Sequence, residues 1–351
     1  MFLPVILMHR YGWLGFWIFS IPNVIGCTAF GYVLRTPERS KELVEKYKTA
    51  ISLFAIVTVA FHIFFIAMIG LVYFNNFSLG VMSLWVPFCI LLAGAFLAFL
   101  PTKVWPIIAA ILWVFSVIAG LTFLPFKEVP QGEMPWQDAI WLLPITTFGF
   151  FLSPYLDPTF HRALQCSPSK HSFGIFGLTF IVMIGITTAY LGIASPNLDS
   201  TIFNFSILLG LHFALQSIFT IGAHIKEGLR IELDKRKPLF IVILAFACLI
   251  AVGIAHRAGG VSPSGNWLPQ WQDDYLRFFV FYGLIFPGLV ATFMLTRRTF
   301  TPIRVALFAL IALLSLPLLE IGYLGNQAWL SVLPVVVLLT WAFADRTKSV
   351  S

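Results

Sequence analysis

Long apolar segments follow one another along almost the whole chain, and short polar intervals separate them. A helix needs about 20 predominantly apolar residues to cross the hydrocarbon core of a bilayer. The pattern therefore predicts an all-α polytopic membrane protein in which residues 1–351 form a single transmembrane domain. The eleven segments predicted to span the membrane are 11–34, 50–74, 80–100, 104–124, 139–156, 173–192, 202–224, 238–256, 275–296, 303–323 and 328–344.

Several intervals indicate how these segments connect. Residues 101–103 and 324–327 are so short that each predicts a tight helical hairpin. The charged interval 35–48 predicts a short solvated helix, because its charged residues recur four apart on one face. The apolar stretch Met1–His9 has about half the length of a span. It is consistent with an interfacial segment, a half helix or the remainder of a longer helix.

The fifth apolar segment is interrupted by Pro144, Gly149 and Pro154. Proline cannot donate a backbone hydrogen bond and glycine weakens a helix, so we expect 139–156 to depart from one straight helix. Broken backbone at membrane depth persists only where it is buried in protein or lines a cavity, and discontinuous helices form the binding sites of many secondary transporters. A kinked but sealed helix is the alternative, since proline and glycine are common in membrane helices.

Polar side chains inside the apolar segments mark a second region of interest. His212, Gln216 and Thr220 are spaced four apart, which places them on one stripe of a helix. A polar stripe that faces lipid is costly, so this stripe is expected to face other helices or a cavity. Thr58 and His62 share a face of the second segment in the same way. A buried histidine is more often a paired core residue than a proton carrier.

The depths of these polar groups predict one shared cavity. Thr146 and Thr147 lie about eight residues into their span, and His212 and Gln216 about ten and fourteen residues into theirs. Both groups fall in the central part of a hydrocarbon core of about 30 Å. We expect them to face one midplane cavity that Asn23 closes on a third side. The alternative is that each polar group is satisfied within its own helix, as threonine hydroxyls often are.

The positions of the charges give the expected orientation. Hydrophobic residues make up 59% of the chain and charged residues 11%, with a net charge of +7. Of the 22 lysines and arginines, 18 fall in one alternating set of loops and in the C-terminal tail. The positive-inside rule then places the N-terminus outside and the C-terminus in the cytoplasm, in a multi-pass protein of the inner cell membrane. The basic loops are expected to meet anionic lipid headgroups, so the charge implies no nucleic-acid partner.

Sequence motifs for catalysis or ATP hydrolysis are absent. The chain has no Walker sequence, no HExxH motif and no nucleophile elbow. Its four cysteines have neither the spacing of metal ligands nor that of a redox pair, which is typical of small core residues. We therefore expect a protein that is not an enzyme and that has no cofactor.

Two stretches resemble a known transporter family. The run YGWLGFWIFSIPNVIGCTAFGYVLR is similar to the second core helix of sodium/solute symporters, and TTFGFFLSPYLDPTFHRAL is similar to their broken sixth core helix. The resemblance implies the inverted-repeat fold of the amino acid–polyamine–organocation superfamily, with a binding site at core helices one, six and eight. It covers most of the chain in topology but only these two stretches in sequence.

The chain departs from that family in two places. Most of the first core helix is missing, so either it lies upstream or this chain is a relative that no longer transports. The hydroxyl pair that would bind sodium on core helix eight is represented only by Ser217 and Thr220.

The sequence thus favours a secondary-transporter-like protein for a small solute, possibly cation-coupled. The alternative is a receptor, sensor or assembly subunit that retains the fold and has an unknown partner subunit. The residues expected to line the cavity are Asn23, Thr146, Thr147, Tyr155, His212 and Gln216, and those expected to form a gate are Gly149, Pro154, Asp157, His161 and Arg162.

Overall fold

The computed structural model describes residues 3–75, 82–122, 132–167, 169–186, 202–232, 234–258, 268–325 and 327–344, and this part of the chain contains helices and no strand. The α-helices are α1 (Leu3–Leu34), α2 (Pro37–Asn75), α3 (Met82–Ala98), α4 (Trp105–Thr122), α5 (Trp136–Leu152), α6 (Pro158–Cys166), α7 (Ser172–Ile186), α8 (Ile202–Ile231), α9 (Lys237–Ala258), α10 (Leu268–Val280), α11 (Phe286–Leu289), α12 (Pro302–Tyr323) and α13 (Val332–Ala344). Short 3₁₀ turns lie at Thr102–Val104, Ser153–Leu156, Asp234–Arg236 and Ala328–Ser331.

Within the described part of the chain, seven helical stretches are long and apolar enough to cross a membrane. They are Leu3–Leu34, Pro37–Leu71, Thr102–Leu121, Trp136–Leu156, Lys237–Arg257, Asp273–Met294 and Pro302–Tyr323. Large apolar side chains such as Phe96, Phe99 and Ile303 are more than 70% exposed, as expected for a surface in contact with lipid. The all-helical class is confirmed for the described residues, and the long apolar helices indicate a multi-pass membrane protein. Eleven spans, the orientation and the inverted repeat stay predictions, although a helix coincides with each predicted segment.

The most enclosed helix is α2, which packs against α3, α6, α8 and α9. Its side chains are buried on nearly all sides from Ile51 to Ile69. The helix begins at Pro37 and passes a kink at Tyr47, where φ is −117° and ψ is 23°. The predicted short polar helix at 35–48 is therefore the first part of α2, and the kink marks its junction with the membrane-spanning part.

The first helix reverses direction at Gly12. This glycine has φ 61° and ψ −149°, a conformation that is essentially restricted to glycine. A side-chain carbon at Gly15 would lie 2.2 Å from the carbonyl oxygen of Leu7, whereas residues eight apart in one helix are separated by about 12 Å. Residues 3–11 are thus a buried half helix folded back on the rest of α1. Its last carbonyls, those of His9 and Arg10, accept hydrogen bonds from the backbone of residues 133 and 134.

The fifth helix is interrupted at its end and not at its centre. Pro144 and Gly149 both lie inside α5, and the α-helix gives way to a 3₁₀ turn only at Ser153–Leu156. The prediction that 139–156 is not one regular helix is confirmed, but the two inner positions do not cause the break. A single proline in a membrane helix is tolerated when neighbouring helices satisfy the freed backbone groups.

The helical rod that continues from α10 contains two π-helical stretches, Phe281–Ile285 and Val290–Met294, on either side of α11. In the first, the backbone N–H of Phe286 bonds to the carbonyl of Phe281, five residues back. Pro287 has no N–H, so the carbonyl of Tyr282 receives neither the i+4 nor the i+5 helical donor. Such wide turns occur frequently at functional sites, and this one leaves a buried acceptor that another element must satisfy.

Candidate functional site

The irregular end of α5 meets the irregular part of the α10–α11 rod. The Ser153 hydroxyl donates to the carbonyl of Tyr282 at 2.9 Å. The 3₁₀ turn at the end of α5 thus supplies the hydrogen-bond donor that the π-helical stretch lacks. One turn earlier, a side-chain carbon at Gly149 would lie 2.7 Å from the Tyr282 carbonyl oxygen and 3.0 Å from the Cα atom of Gly283. The predicted gating residue Gly149 is therefore a point where two backbones come together.

The Tyr282 side chain extends this contact to α2. Its hydroxyl donates to the Thr58 hydroxyl at 2.9 Å. The Nδ1 atom of His62 lies 2.8 Å from the Thr58 carbonyl oxygen, which can only accept a hydrogen bond, so Nδ1 carries the hydrogen. His62 is thus a paired core histidine, as the commoner interpretation of its position predicts. We call Ser153, Tyr282 and Thr58 the junction of the two broken helices.

A second polar cluster begins at Asp157, immediately after the 3₁₀ turn. Asp157 is the N-cap residue of α6, and its Oδ1 atom accepts from the backbone nitrogen and the hydroxyl of Thr159 at 2.8 and 2.6 Å. The same oxygen lies 3.5 Å from Nε2 of His224 on α8. Burial acts to raise the pKa of Asp157, but the His224 charge and the hydrogen bonds from His224 and Thr159 outweigh it and hold that pKa below its ordinary value.

His161 fastens α6 to α2. Its Nε2 atom lies 2.9 Å from the carbonyl oxygen of Tyr155, and its Nδ1 atom lies 2.9 Å from the hydroxyl of Ser40. Gln165 donates to the same hydroxyl at 3.1 Å. Burial lowers the pKa of His161 more than the Tyr155 carbonyl and the Asp157 charge raise it. The side chain is therefore neutral at neutral pH, with its hydrogen on Nε2.

Arg162 connects α6 to α8 through an ion pair. Its Nε atom lies 3.7 Å from Glu227, which also accepts a hydrogen bond from Arg230 at 3.2 Å. Burial raises the pKa of Glu227, and the two arginines oppose this shift without cancelling it. Three of the residues predicted to form a gate thus hold α6 against two neighbours: His161 contacts α2, and Asp157 and Arg162 contact α8.

The residues predicted to line a midplane cavity lie in separate environments. The Nδ1 atom of His212 lies 3.1 Å from the hydroxyl of Ser116 on α4. The side-chain amide of Gln216 donates to the same hydroxyl at 2.7 Å. The Thr146 hydroxyl donates back to the carbonyls of Leu142 and Leu143. Thr147 is half-buried and lies one helical face away, in line with exposed apolar side chains of α5. A cavity shared by these residues stays a prediction.

The remaining predicted residues also have defined surroundings. The amide oxygen of Asn23 accepts from the thiol of Cys27 at 3.5 Å, which lies in the same helix. The ring of Tyr155 packs on Phe30, and Pro154 lies in the 3₁₀ turn. The carbonyl of Thr220 accepts from His224, and Ser217 is buried. His, Cys, Asp and Glu form no metal-binding group among the described residues, and a sodium site at Ser217 and Thr220 stays a prediction.

Sequence reasoning missed several partners in these clusters. His224 continues the stripe of His212, Gln216 and Thr220 by one more step of four, so the periodicity contained the signal for it. Glu227 follows three residues later on the same face. Ser40, Ser116, Ser153 and Tyr282 carried no comparable signal, because a serine or tyrosine in an apolar helix is ordinary and its partner is distant in sequence.

Comparison of the chain with protein-family models, curated proteins and solved structures finds no match.

Proposed function

We propose that this protein is a secondary-transporter-like membrane protein that moves a small solute by alternating access. The observation that carries the proposal is the hydrogen bond from Ser153 to the Tyr282 carbonyl, which joins the broken end of α5 to the π-helical stretch after α10. Helices broken at membrane depth and paired with each other are the building elements of solute sites in secondary transporters.

Two further features support a junction that moves. The half helix 3–11 adds a third discontinuity, created by the reversal at Gly12. The segment from 153 to 166 is joined to the bundle by side-chain bonds and ion pairs at Ser153, Asp157, His161 and Arg162. Contacts of this kind can break one by one, unlike an extended apolar interface. On this account, α6 moves against α2 and α8, with the 3₁₀ turn after α5 as the hinge.

The proposal is tested by the reactivity of a cysteine at the junction. Ser153→Cys is introduced into a chain whose four native cysteines are replaced by alanine, and the protein is exposed in inside-out membrane vesicles to a membrane-impermeant maleimide. Alternating access exposes the junction to the cytoplasm in part of the cycle, so the introduced thiol reacts in the native protein. Small solutes that bind at the junction slow this reaction, which gives a way to screen for the substrate.

Ser315→Cys is the matched control, because Ser315 is also a buried serine, bonded to the Ile311 carbonyl, but lies on α12 and belongs to no predicted site. It stays unreactive until the protein is denatured. If Ser153→Cys is equally unreactive in the native protein and reacts only after denaturation, the junction is sealed. That result overturns the transport proposal and favours a receptor or assembly subunit.

A further inference from the structure

The hydrogen bonds around Asp157 and His224 determine where a proton lies in this pair. The Nδ1 atom of His224 is 2.9 Å from the Thr220 carbonyl oxygen. A carbonyl oxygen only accepts hydrogen bonds, so Nδ1 carries a hydrogen. The other ring nitrogen, Nε2, is therefore the atom whose protonation varies, and it is the one that faces Oδ1 of Asp157 at 3.5 Å.

The Asp157 oxygen is already committed as an acceptor. The backbone N–H and the hydroxyl of Thr159 both donate to Oδ1, and these bonds favour the ionised carboxylate. A neutral His224 would place the lone pair of Nε2 3.5 Å from this negatively charged oxygen, and the two would repel each other. The contact is attractive only when Nε2 is protonated. The observed arrangement therefore accommodates one proton, located on His224.

The pair is shielded from water. The side chain of His224 is 5% exposed and that of Asp157 15%, and Nε2 is buried without a hydrogen bond of good geometry. The ring of Phe54 on α2 stacks on His224 with centroids 6.3 Å apart. The titratable or charged groups that surround the pair are Cys27 on α1, His62 on α2, His161 and Arg162 on α6, Glu227 on α8 and Tyr282 after α10.

We propose that Asp157 and His224 form a proton-binding site, and that the bound proton holds α6 against α8. When α6 moves away, His224 loses its counter-ion and gives the proton from Nε2 to water, while Asp157 stays a carboxylate. Opening thus releases one proton, and closing takes one up. The role of this proton in driving solute movement rests on the proposed function, whereas its binding does not.

Infrared spectroscopy of the purified full-length protein, with aspartate labelled by ¹³C at its side-chain carboxyl, tests the proposal directly. In the wild-type protein at pH 7, Asp157 contributes no protonated-carboxyl band. In His224→Gln, the carboxylate is buried without its cation and takes up a proton, because an unpaired buried charge is very unfavourable. A protonated aspartate band therefore appears in His224→Gln and is absent from the His224→Gln/Asp157→Asn double variant.

His171→Gln is the matched control, because His171 is exposed and lies beside Tyr32, away from the pair; this variant gives the wild-type spectrum. A protonated Asp157 in the wild-type protein, or a carboxylate that stays ionised in His224→Gln, overturns the proposal.

A second measurement covers the case in which His224→Gln does not fold. Nitrogen NMR of the ¹⁵N-histidine-labelled protein at pH 7 shows an imidazolium signal for His224 in the wild type, and this signal is lost in Asp157→Asn. An unchanged imidazolium signal in Asp157→Asn contradicts the site. Both readouts concern protonation alone, so they can fail while Ser153→Cys still shows an opening junction, and the reverse also holds.

Discussion

At the scale of single residues, the helix contacts depend on positions where no side chain fits. A side-chain carbon at Gly26 on α1 would lie 2.2 Å from the carbonyl oxygen of Phe150 and 2.9 Å from the Cα atom of Phe151. Both obstacles are backbone atoms, which cannot rotate away. Gly26 is therefore required for the close approach of α1 to α5, and this approach positions the end of α5 at the junction.

Replacing Gly26 by alanine is expected to force α1 and α5 apart and to destabilise the protein by about 1–3 kcal/mol. The measurement is the apparent melting temperature in detergent. Gly253→Ala on α9 is the control, because no atom lies within 4 Å of the added carbon, and alanine favours a helix over glycine. It leaves the melting temperature unchanged or slightly raised. Equal effects of the two substitutions would show that the α1–α5 contact is not close-packed.

The pH dependence of stability follows from His161. Burial keeps the pKa of His161 below its ordinary value, so the unfolded chain binds a proton on this side chain that the folded protein does not. Its contribution to stability is complete above pH of about 6.5 and is lost progressively as the pH falls below that value. The contribution of His161 to the melting temperature is therefore expected to fall between pH 7 and pH 5.

His161→Gln removes this particular dependence, so the difference between the two proteins shrinks as the pH falls. Glu227 acts in the opposite sense, because its raised pKa favours the folded state on acidification, but it is present in both proteins and cancels in the comparison. A wild-type and variant difference that is constant from pH 7 to pH 5 would mean that burial does not lower the pKa of His161 in the folded protein.

How far single residues can be predicted depends on whether they belong to a repeating pattern. The stripe of His212, Gln216 and Thr220 was visible because its spacing matches the helical period, and the same period reaches His224. Whether each polar group bonds to its own helix or to a neighbour is not encoded in that spacing. Thr146 bonds to its own helix and His212 contacts α4, a difference that only the packing of the helices determines.

At the scale of helices, the central feature is a hydrogen bond that the irregular end of α5 donates to the π-helical stretch after α10. Pro287 deprives the Tyr282 carbonyl of a helical donor, and Ser153 supplies one from the 3₁₀ turn after α5. The sequence predicted an irregular fifth segment from Pro144, Gly149 and Pro154 together, and only the end that contains Pro154 departs from the α-helix. It did not predict the π-helical stretches after α10, because one proline in an apolar run is compatible with a kink, a bulge or a regular end.

A double-mutant cycle tests whether Ser153 and Pro287 act on the same Tyr282 carbonyl. Ser153→Ala leaves the buried Tyr282 carbonyl without its donor and is expected to cost about 1–3 kcal/mol. Pro287→Ala restores a backbone N–H that can reach the Tyr282 carbonyl five residues back, so Ser153→Ala costs about 1 kcal/mol less in that background. Melting curves of the four proteins give the coupling. Strictly additive effects would mean that the serine and the proline act on separate groups.

The lengths of the apolar runs predicted which segments are helical better than they predicted where each helix begins and ends. Each predicted span coincides with a helix, because a run of about 20 apolar residues has no stable alternative in a membrane. The sequence of Met1–His9 was compatible with three interpretations. The structure shows that residues 3–11 form a buried half helix. The reversal depends on the backbone angles at Gly12, and a single glycine in an apolar stretch does not reveal them.

At the scale of the whole molecule, α6 is attached to its neighbours through polar contacts as well as apolar packing. It is joined to α2 by the Ser40–His161 contact and to α8 by Asp157–His224 and Arg162–Glu227. Its apolar side chains Phe160 and Leu164 pack in a small cluster with Phe30, Leu34 and Phe173, apart from the extensive core that holds most of the bundle. These contacts can separate without opening the extensive core, and on our proposal the proton bound by Asp157 and His224 controls this separation.

The distance between α6 and α2 tests this account most directly. Spin labels are attached at Ala163→Cys on α6 and Glu42→Cys on α2, both exposed positions, in the chain without native cysteines, and the distance distribution is measured by pulsed electron paramagnetic resonance. At pH 7 the account predicts a main short distance, and a longer distance that becomes the larger population in Asp157→Asn and at a pH high enough to deprotonate His224. A single distribution that is identical in the parent protein, in Asp157→Asn and at high pH would contradict it.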